Sequence, residues 1–233
     1  MKKIALLADL HGNMTATLAA ERELDRIAPD EVWFLGDAVG KGPRSAEACD
    51  WVRRHCQHHI GGNWDYGIGK SGMNNEFHQQ QLGAERMAWL NSLPLEQELT
   101  VSGVCFRLFH GRPLTGFFNI YVDDETLNSF MTANGKNYGG IICADSHQPF
   151  VRLTERGYAI NTGSIGNNLG VTRAHFLLLE GYLGCTEAAP LHISTVAVPY
   201  DNEAEVRLAE SCPELPAKEA YINEIRTGVY SRK

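Results

Sequence analysis

Five short apolar runs in this chain each end on an aspartate, asparagine or histidine, and most of these ends also carry a glycine. KIALLADLHG delivers Asp9 and His11, EVWFLGDAVG delivers Asp37, and HHIGGNWD delivers Asn63 and Asp65. VCFRLFHG ends in His110, and GGIICADSHQP ends in Asp145 and His147. Short apolar runs of this kind read as buried strands. In α/β sheets the ligand crevice lies just outside the carboxyl ends of the strands. The pattern therefore predicts that side chains far apart in the sequence meet at one place.

The segments between these runs change period. Strand-like stretches at Lys3 to Ala8, Glu31 to Leu35 and His59 to Ile60 enclose helical patterns at Asn13 to Ile27 and Ser45 to His55, with Ser45 a candidate cap. This β-α-β-α-β order predicts a parallel sheet with right-handed crossovers. A helix is expected over Glu76 to Leu93, where Pro94 stops it. Glu98 to Val101 and Val104 to Phe109 read as a hairpin around Ser102-Gly103. Asp123 to Thr132 reads as a helix with acidic residues in its first turn. Further strands are expected at 140–143, 150–153, 158–160, 175–179 and 193–198, then helices from Asn202 and Ala217. No linker or repeat interrupts the chain, which reads as one domain over 1–233, completed by a strand and helices within 186–233.

Asp9 and His11 are two apart, as are Asp145 and His147, and in extended backbone such pairs face the same way. With Asp37, Asn63 and His110 these are more donors than one tetrahedral ion uses, whereas two ions sharing a carboxylate would use them all. Oxygen and nitrogen donors without thiolate suit manganese, iron, cobalt, nickel or zinc.

The strings D-L-H-G-N at 9–13, G-D-A-V-G at 36–40, G-N-W-D at 62–65, H-G at 110–111 and A-D-S-H at 144–147 resemble the calcineurin-like metallophosphoesterases, in their small bacterial and archaeal phosphodiesterase branch. N-T-G-S-I-G at 161–166 and V-P-Y-D at 198–201 extend the likeness over almost the whole chain. The resemblance implies an α/β fold, a four-layer α/β/β/α sandwich of two mixed sheets flanked by helices. It implies that Asp9, His11 and His147 bind a first metal, that Asp37 bridges, and that Asn63 and His110 bind a second. It also implies in-line attack on phosphorus by a hydroxide held between the ions, which makes Asp37, Asn63 and His110 the catalytic set. Asn63 and Asn13 are candidates for contact with a phosphoryl oxygen, and Arg112, after the fourth donor, for contact with substrate phosphate.

Two positions depart from the family pattern. Where G-N-H-D/E often places a histidine that protonates the leaving group, this chain has Trp64, whose indole N–H is no general acid at neutral pH. Two readings stand for Trp64: stacking on a nucleobase, or packing beneath the metal loop. Where G-H-T-H places a metal-binding histidine, this chain has Asp145, expected to ligate and to favour the harder manganese. Gly67 to Ser71 imitates a phosphate-cradling loop, but the first glycine of that motif falls on Trp64.

Lysine and arginine number 21 against 28 acidic residues, a net charge of 21 − 28 = −7, so no global basic field exists to hold nucleic acid. No apolar run approaches the roughly 18–20 residues of a membrane span, and Asp9 interrupts the first run too early for a signal peptide. The six cysteines form no CxxC pair and read as thiols of a reducing compartment. The expectation is a cytoplasmic, two-metal phosphohydrolase, most simply a phosphodiesterase or a nucleotide pyrophosphatase of the dinucleoside-polyphosphate type, acting on a small phosphorylated substrate such as a nucleotide. Neither membrane nor stable nucleic-acid partners are expected, and a homo-oligomer is left open. The alternatives are a phosphomonoesterase or protein phosphatase, and a catalytically weak metal- or nucleotide-binding relative. The stretches between Tyr66 and Glu98 and between Arg112 and Tyr138, where specificity would lie, match no motif.

Overall fold

The structure, a computed structural model, describes residues 1–70, 75–112 and 116–232. Strand β1 (Lys2–Leu7), helix α1 (Met14–Ile27), β2 (Glu31–Phe34), α2 (Ser45–His55) and β3 (His58–His59) follow in the expected alternation. β1 pairs parallel with β2, setting Ile4 opposite Glu31 and Leu7 opposite Phe34, and β2 pairs parallel with β3. Helices α3 (Asn63–Gly69) and α4 (Glu76–Ser92) come next, then the hairpin of β4 (Glu96–Val101) and β5 (Val104–Phe109). Its turn places Ser102 at φ 49° and Gly103 at φ 84°, both left-handed, as a tight two-residue hairpin requires.

Helix α5 (Asp124–Ser129), the small hairpin β6 (Thr132–Ala133) and β7 (Lys136–Asn137), β8 (Gly140–Cys143), β9 (Phe150–Thr154) and β10 (Gly157–Asn161) complete the second half. β11 (Ala174–Gly181) and β12 (His192–Val198) then return to the first sheet, and α6 (Asn202–Glu210) and α7 (Lys218–Thr227) close the chain. One sheet runs β12-β11-β1-β2-β3 and the other β4-β5-β8-β10-β9, both mixed.

Alternation along the strands builds the layers. Ile4 and Leu6 of β1 face Leu99, Phe106, Leu108, Ile142 and Ile160 of the other sheet, forming the core between the sheets. Ala5 and Leu7 face the opposite way, onto Ala16, Ala20, Leu24, Val52 and Leu90 of the helices. Outside the second sheet, Ile141, Cys143 and Ala159 pack against Phe118, Leu127 and Met131. Helix, sheet, sheet and helix thus stack as the expected four-layer sandwich. Among the described residues no helix is long and apolar enough to cross a membrane, and all six cysteines are free.

Several local expectations change. Arg44, not Ser45, occupies the cap position of α2, because Ser45 Oγ accepts instead from the Gly40 N–H at 3.1 Å. Gly83 breaks α4 with φ 64° and ψ 175°, so the helical pattern there is two segments. Asp123 caps α5 by accepting from Thr126 N–H at 2.7 Å, and the chain leaves that helix at Phe130. Helix α3 and the β6-β7 hairpin have too short a period to be legible in sequence. Gly67 to Lys70 is the end of α3 rather than a phosphate loop, and Ser71 lies outside the described residues.

Candidate metal centre

The donors leave the carboxyl ends of β1, β2, β3, β5 and β8, which bring them to one end of the sandwich. Strand periodicity is not what aims them. Asp9 (φ 55°), His11 (φ 47°), Asp37 (φ 63°), Asp145 (φ 62°) and His147 (φ 57°) all sit in the left-handed region, beyond the last strand residue. Asp and His tolerate that region better than bulky residues, yet it still costs of order 1 kcal/mol each, supplied by the surrounding fold. The loops are held by backbone bonds: Asp9 N–H to Gly36 O at 2.9 Å, His11 N–H to Asp37 O at 3.1 Å, and Gly166 N–H to Asp9 O at 2.9 Å. The N-T-G-S-I-G segment thus braces the first donor loop, with Ser164 Oγ donating to Asp9 O at 2.8 Å.

Each imidazole is oriented by a backbone carbonyl: His11 Nδ1 lies 3.1 Å from Val39 O, His110 Nδ1 2.6 Å from Leu35 O, and His147 Nδ1 2.6 Å from Asn167 O. These contacts fix the Nδ1–H tautomer and aim each Nε2 lone pair inward, the arrangement of metal-binding histidines. The carboxylates divide their oxygens in the same way. Asp37 Oδ1 accepts from Trp64 N–H at 2.8 Å and Asp9 Oδ2 from Asp145 N–H at 3.3 Å. Asp9 Oδ1, Asp37 Oδ2, Asn63 Oδ1 and His110 Nε2 remain, each buried without a hydrogen-bond partner. Buried orphans of this kind are costly in an apoprotein and fit divalent cations.

The donor atoms fall into two groups, Asp9 with His11 and His147, and Asp9 with Asp37 and His110, each with its atoms within 4.8 Å of one another. Asp9 is common to both. Asp37 Oδ2 also reaches both sides, 3.3 Å from His110 Nε2 and 3.6 Å from His11 Nε2. Asp145 stands at the rim, its Oδ1 3.7 Å from His110 Nε2, and belongs to neither group of three. Burial pushes the Asp145 carboxyl up to about 6, and burial with the Lys41 charge pushes His11 down to about 3. For Asp9 burial works upward, but His147, His11 and His110, where they carry a proton on Nε2, outweigh it and hold the carboxyl well below the usual range, a place that a bound cation would take.

Asp65, legible only as part of a motif, organises the centre from behind. Fully buried, its carboxylate accepts from Asp37 N–H at 2.7 Å, Ala38 N–H at 2.9 Å and Gly62 N–H at 3.1 Å. Asn13 is not available to a phosphoryl group: it caps α1, with Oδ1 accepting from Ala16 N–H at 2.9 Å and Nδ2 donating to Gly166 O at 2.8 Å. Arg112 lays its guanidinium on the Phe118 ring, 4.5 Å from the centroid, and does not line the cavity at the donors. Trp64 does line that cavity, with its indole packed on Gly40 and set edge-to-face with the His11 ring, 5.7 Å between the centroids. Sequence reasoning passed over Lys41 and Arg232, which also line it, and Asn167, whose Oδ1 accepts from Lys41 Nζ at 3.1 Å. Lys41 and Asn167 directly follow recognised strings, a signal in hindsight, whereas nothing in the sequence marks Arg232.

A family model described as the calcineurin-like phosphoesterase superfamily domain matches residues 1–181. An uncharacterized protein of Methanocaldococcus jannaschii is 27% identical over 209 residues, covering 76% of this chain and 82% of its own length. Among solved structures, a metallophosphoesterase from Sphaerobacter thermophilus superposes with a TM-score of 0.79 at 22% identity, covering 97% of this chain and 100% of that one. A hypothetical protein from Pyrococcus horikoshii OT3 gives 0.82 at 20% identity, covering 99% of this chain and 100% of that one. These structural likenesses concern the fold. The family match spans every donor from Asp9 to His147, and the chain belongs to the calcineurin-like phosphoesterase superfamily.

Proposed function

We propose that this chain is a dinuclear metal-dependent phosphohydrolase acting on phosphodiester or nucleotide phosphoanhydride bonds. The observation that carries the reading is the set of buried, unpartnered donor atoms on Asp9, Asp37, Asn63 and His110, together with the adjoining Nε2 atoms of His11 and His147. Divalent cations held there supply charge to a phosphoryl oxygen and lower the pKa of water. Asp9, His11 and His147 would hold one ion, Asn63 and His110 the other, with Asp37 shared by both and Asp145 at the second. Manganese suits a set with three carboxylates.

The protein's own groups then orient and exclude. Asp65 holds the Asp37 loop, and the backbone carbonyls of Val39, Leu35 and Asn167 hold the three imidazoles. The Asn63 carbonyl oxygen, buried without a partner, would serve the ion, and its amide N–H groups are suited to a phosphoryl oxygen. Trp64 transfers no proton, so leaving groups that depart without one, aryl oxides and phosphates, are the expected substrates. The protein's −7 charge argues against a long nucleic acid and for a small phosphorylated molecule, a nucleotide in preference.

Trp64 and Asp145 also favour a second reading, a relative that binds a metal or nucleotide without turnover. Metal analysis of the purified protein, with assays of a bis-aryl phosphodiester, an aryl monoester and a dinucleoside polyphosphate with and without manganese, separates the two. About two ions per chain with metal-dependent turnover is expected. Two ions without turnover on any of these supports the second reading, and no metal uptake refutes the hydrolase and leaves only a nucleotide-binding relative.

A further inference from the structure

A cavity of about 510 Å³ opens at the donors, and two cationic side chains from distant parts of the chain, Lys41 and Arg232, line it. Lys41 is 6% exposed; its Nζ donates to Asn167 Oδ1 at 3.1 Å and lies 3.2 Å from His147 Nε2. Arg232, beyond α7, donates from Nε to Glu224 Oε2 at 3.3 Å, while its Nη2 is buried with no partner. Both cations lie against the same indole, Nζ at 6.0 Å and the guanidinium carbon at 5.8 Å from the Trp64 ring.

Two like charges in one buried wall need more than one counter-charge. Glu224, 1% exposed, supplies one. The other carboxylates attracting Lys41 belong to Asp9 and Asp37, the groups that divalent cations would use. The same competition holds for His147: an Nε2 lone pair spent on a cation cannot also accept from an ammonium. A loaded centre therefore leaves Lys41 with Asn167 as its acceptor and Arg232 with an unused N–H edge. Both side chains line the cavity in which a substrate must sit.

We propose that Lys41 and Arg232 form an anion subsite that receives the leaving phosphate of a phosphoanhydride, so that the preferred substrates carry two phosphoryl groups joined by a P–O–P bridge. The assignment rests on the phosphohydrolase reading above and narrows it. Water oxygen forms the new bond to the attacked phosphorus, and the bond from that phosphorus to the bridging oxygen breaks. The electron pair stays on the bridging oxygen, now part of the leaving phosphate, and the proton of the water passes to solvent. The charge gained by the leaving phosphate lies against Lys41 and Arg232. A chain with Trp64 in place of a general acid thereby needs none for this substrate class.

Calorimetric titration of the protein at saturating manganese tests this, using methylenediphosphonate, which has an unhydrolysable P–C–P bridge, against methylphosphonate, which has one phosphoryl group. Protein-bound metal is measured in the same samples; if the protein takes up none, the titrations are run on it as purified under the same criteria. Arg232→Gln and Lys41→Met should each weaken the diphosphonate about tenfold and the monophosphonate less than about threefold, with Lys41→Arg restoring most of the loss. Circular dichroism of each variant reads the fold; should Lys41→Met fail to fold, Arg232→Gln, beyond the last helix, carries the test alone. Equal losses on both ligands, or no loss on either, overturn the subsite. A diphosphonate preference that depends on both cations, in a protein that hydrolyses no ester or anhydride, keeps the subsite and rejects the hydrolase. Hydrolysis of aryl diesters without that preference does the reverse.

Discussion

The Nε2 atoms of His11 and His147 stand 3.1 Å apart although 136 positions separate the two residues. Each ring spends its Nδ1 on a backbone carbonyl, so two lone pairs point at one another across a fully buried space. Two imidazole acceptors this close call for positive charge beside both; the Lys41 ammonium reaches only His147, at 3.2 Å, whereas a shared cation would serve the two rings together.

Removal of the His147 imidazole should therefore reduce the bound metal by about one ion per chain. For wild-type protein, metal at a hundredfold excess over its Kd should add about 2.7 kcal/mol of stability per site, lost on treatment with a chelator. Metal analysis of His147→Ala, with thermal unfolding of the wild type before and after chelation, measures both. An unchanged ion count in the variant counts against His147 as a ligand.

Gly62 offers a way to disturb the centre without touching a donor. Its φ of −96° suits any residue, but a Cβ there would lie 2.1 Å from Asp37 Oδ1. Gly62→Ala should push the Asp37 carboxylate aside and weaken metal binding about 10- to 100-fold, while circular dichroism stays native. Equilibrium dialysis against manganese reads the effect, and wild-type affinity would mean that Asp37 is dispensable.

Trp64→His restores the residue type that protonates leaving groups elsewhere in the family. Alkyl esters, whose alkoxides need a proton, should gain relative to aryl esters, by about tenfold or more in the ratio of kcat values. Trp64 also packs on Gly40, so both rates can fall together; only the ratio decides. A ratio equal to that of the wild type removes Trp64 from the account of leaving-group preference.

His78 gives the fold an acid sensitivity apart from the metal donors. Burial, with a smaller contribution from the Arg232 charge, pushes it down to about 4, against 6.5 in an unfolded chain. The folded state keeps the ring neutral, 2.9 Å from Ser45 Oγ, while the unfolded chain takes up a proton. Its contribution is complete above pH 6.5 and is lost as the pH falls toward 4, roughly 3 kcal/mol in all. Urea unfolding at about pH 7 and about pH 4.5 should show a smaller acid loss in His78→Gln than in the wild type. Equal losses would assign the acid sensitivity to other groups.

Much of the fold was legible because strand and helix periods are local. The β1-α1-β2-α2-β3 order, the Ser102-Gly103 hairpin and the returning strands all follow from patterns a few residues long. What escaped was either very short, such as α3, or dependent on a distant partner. Ser45 looks like a cap until Gly40 N–H claims its hydroxyl, and Asn13 looks like a phosphate contact until Ala16 and Gly166 take both ends of its amide.

Residue type and position at strand ends were enough for the sequence alone to nominate Asp9, His11, Asp37, Asn63, His110, Asp145 and His147 as donors, because only oxygen and imidazole groups recur there. The tertiary structure decided which atom of each side chain turns inward. Five of the seven reach the centre through left-handed backbone that strand periodicity does not describe, and the three imidazoles are turned by the carbonyls of Val39, Leu35 and Asn167. It also brought Lys41 and Arg232 to one wall. A periodic pattern specifies a face of one element; the meeting of loops from two sheets depends on how those sheets stack, and that is set by the core between them.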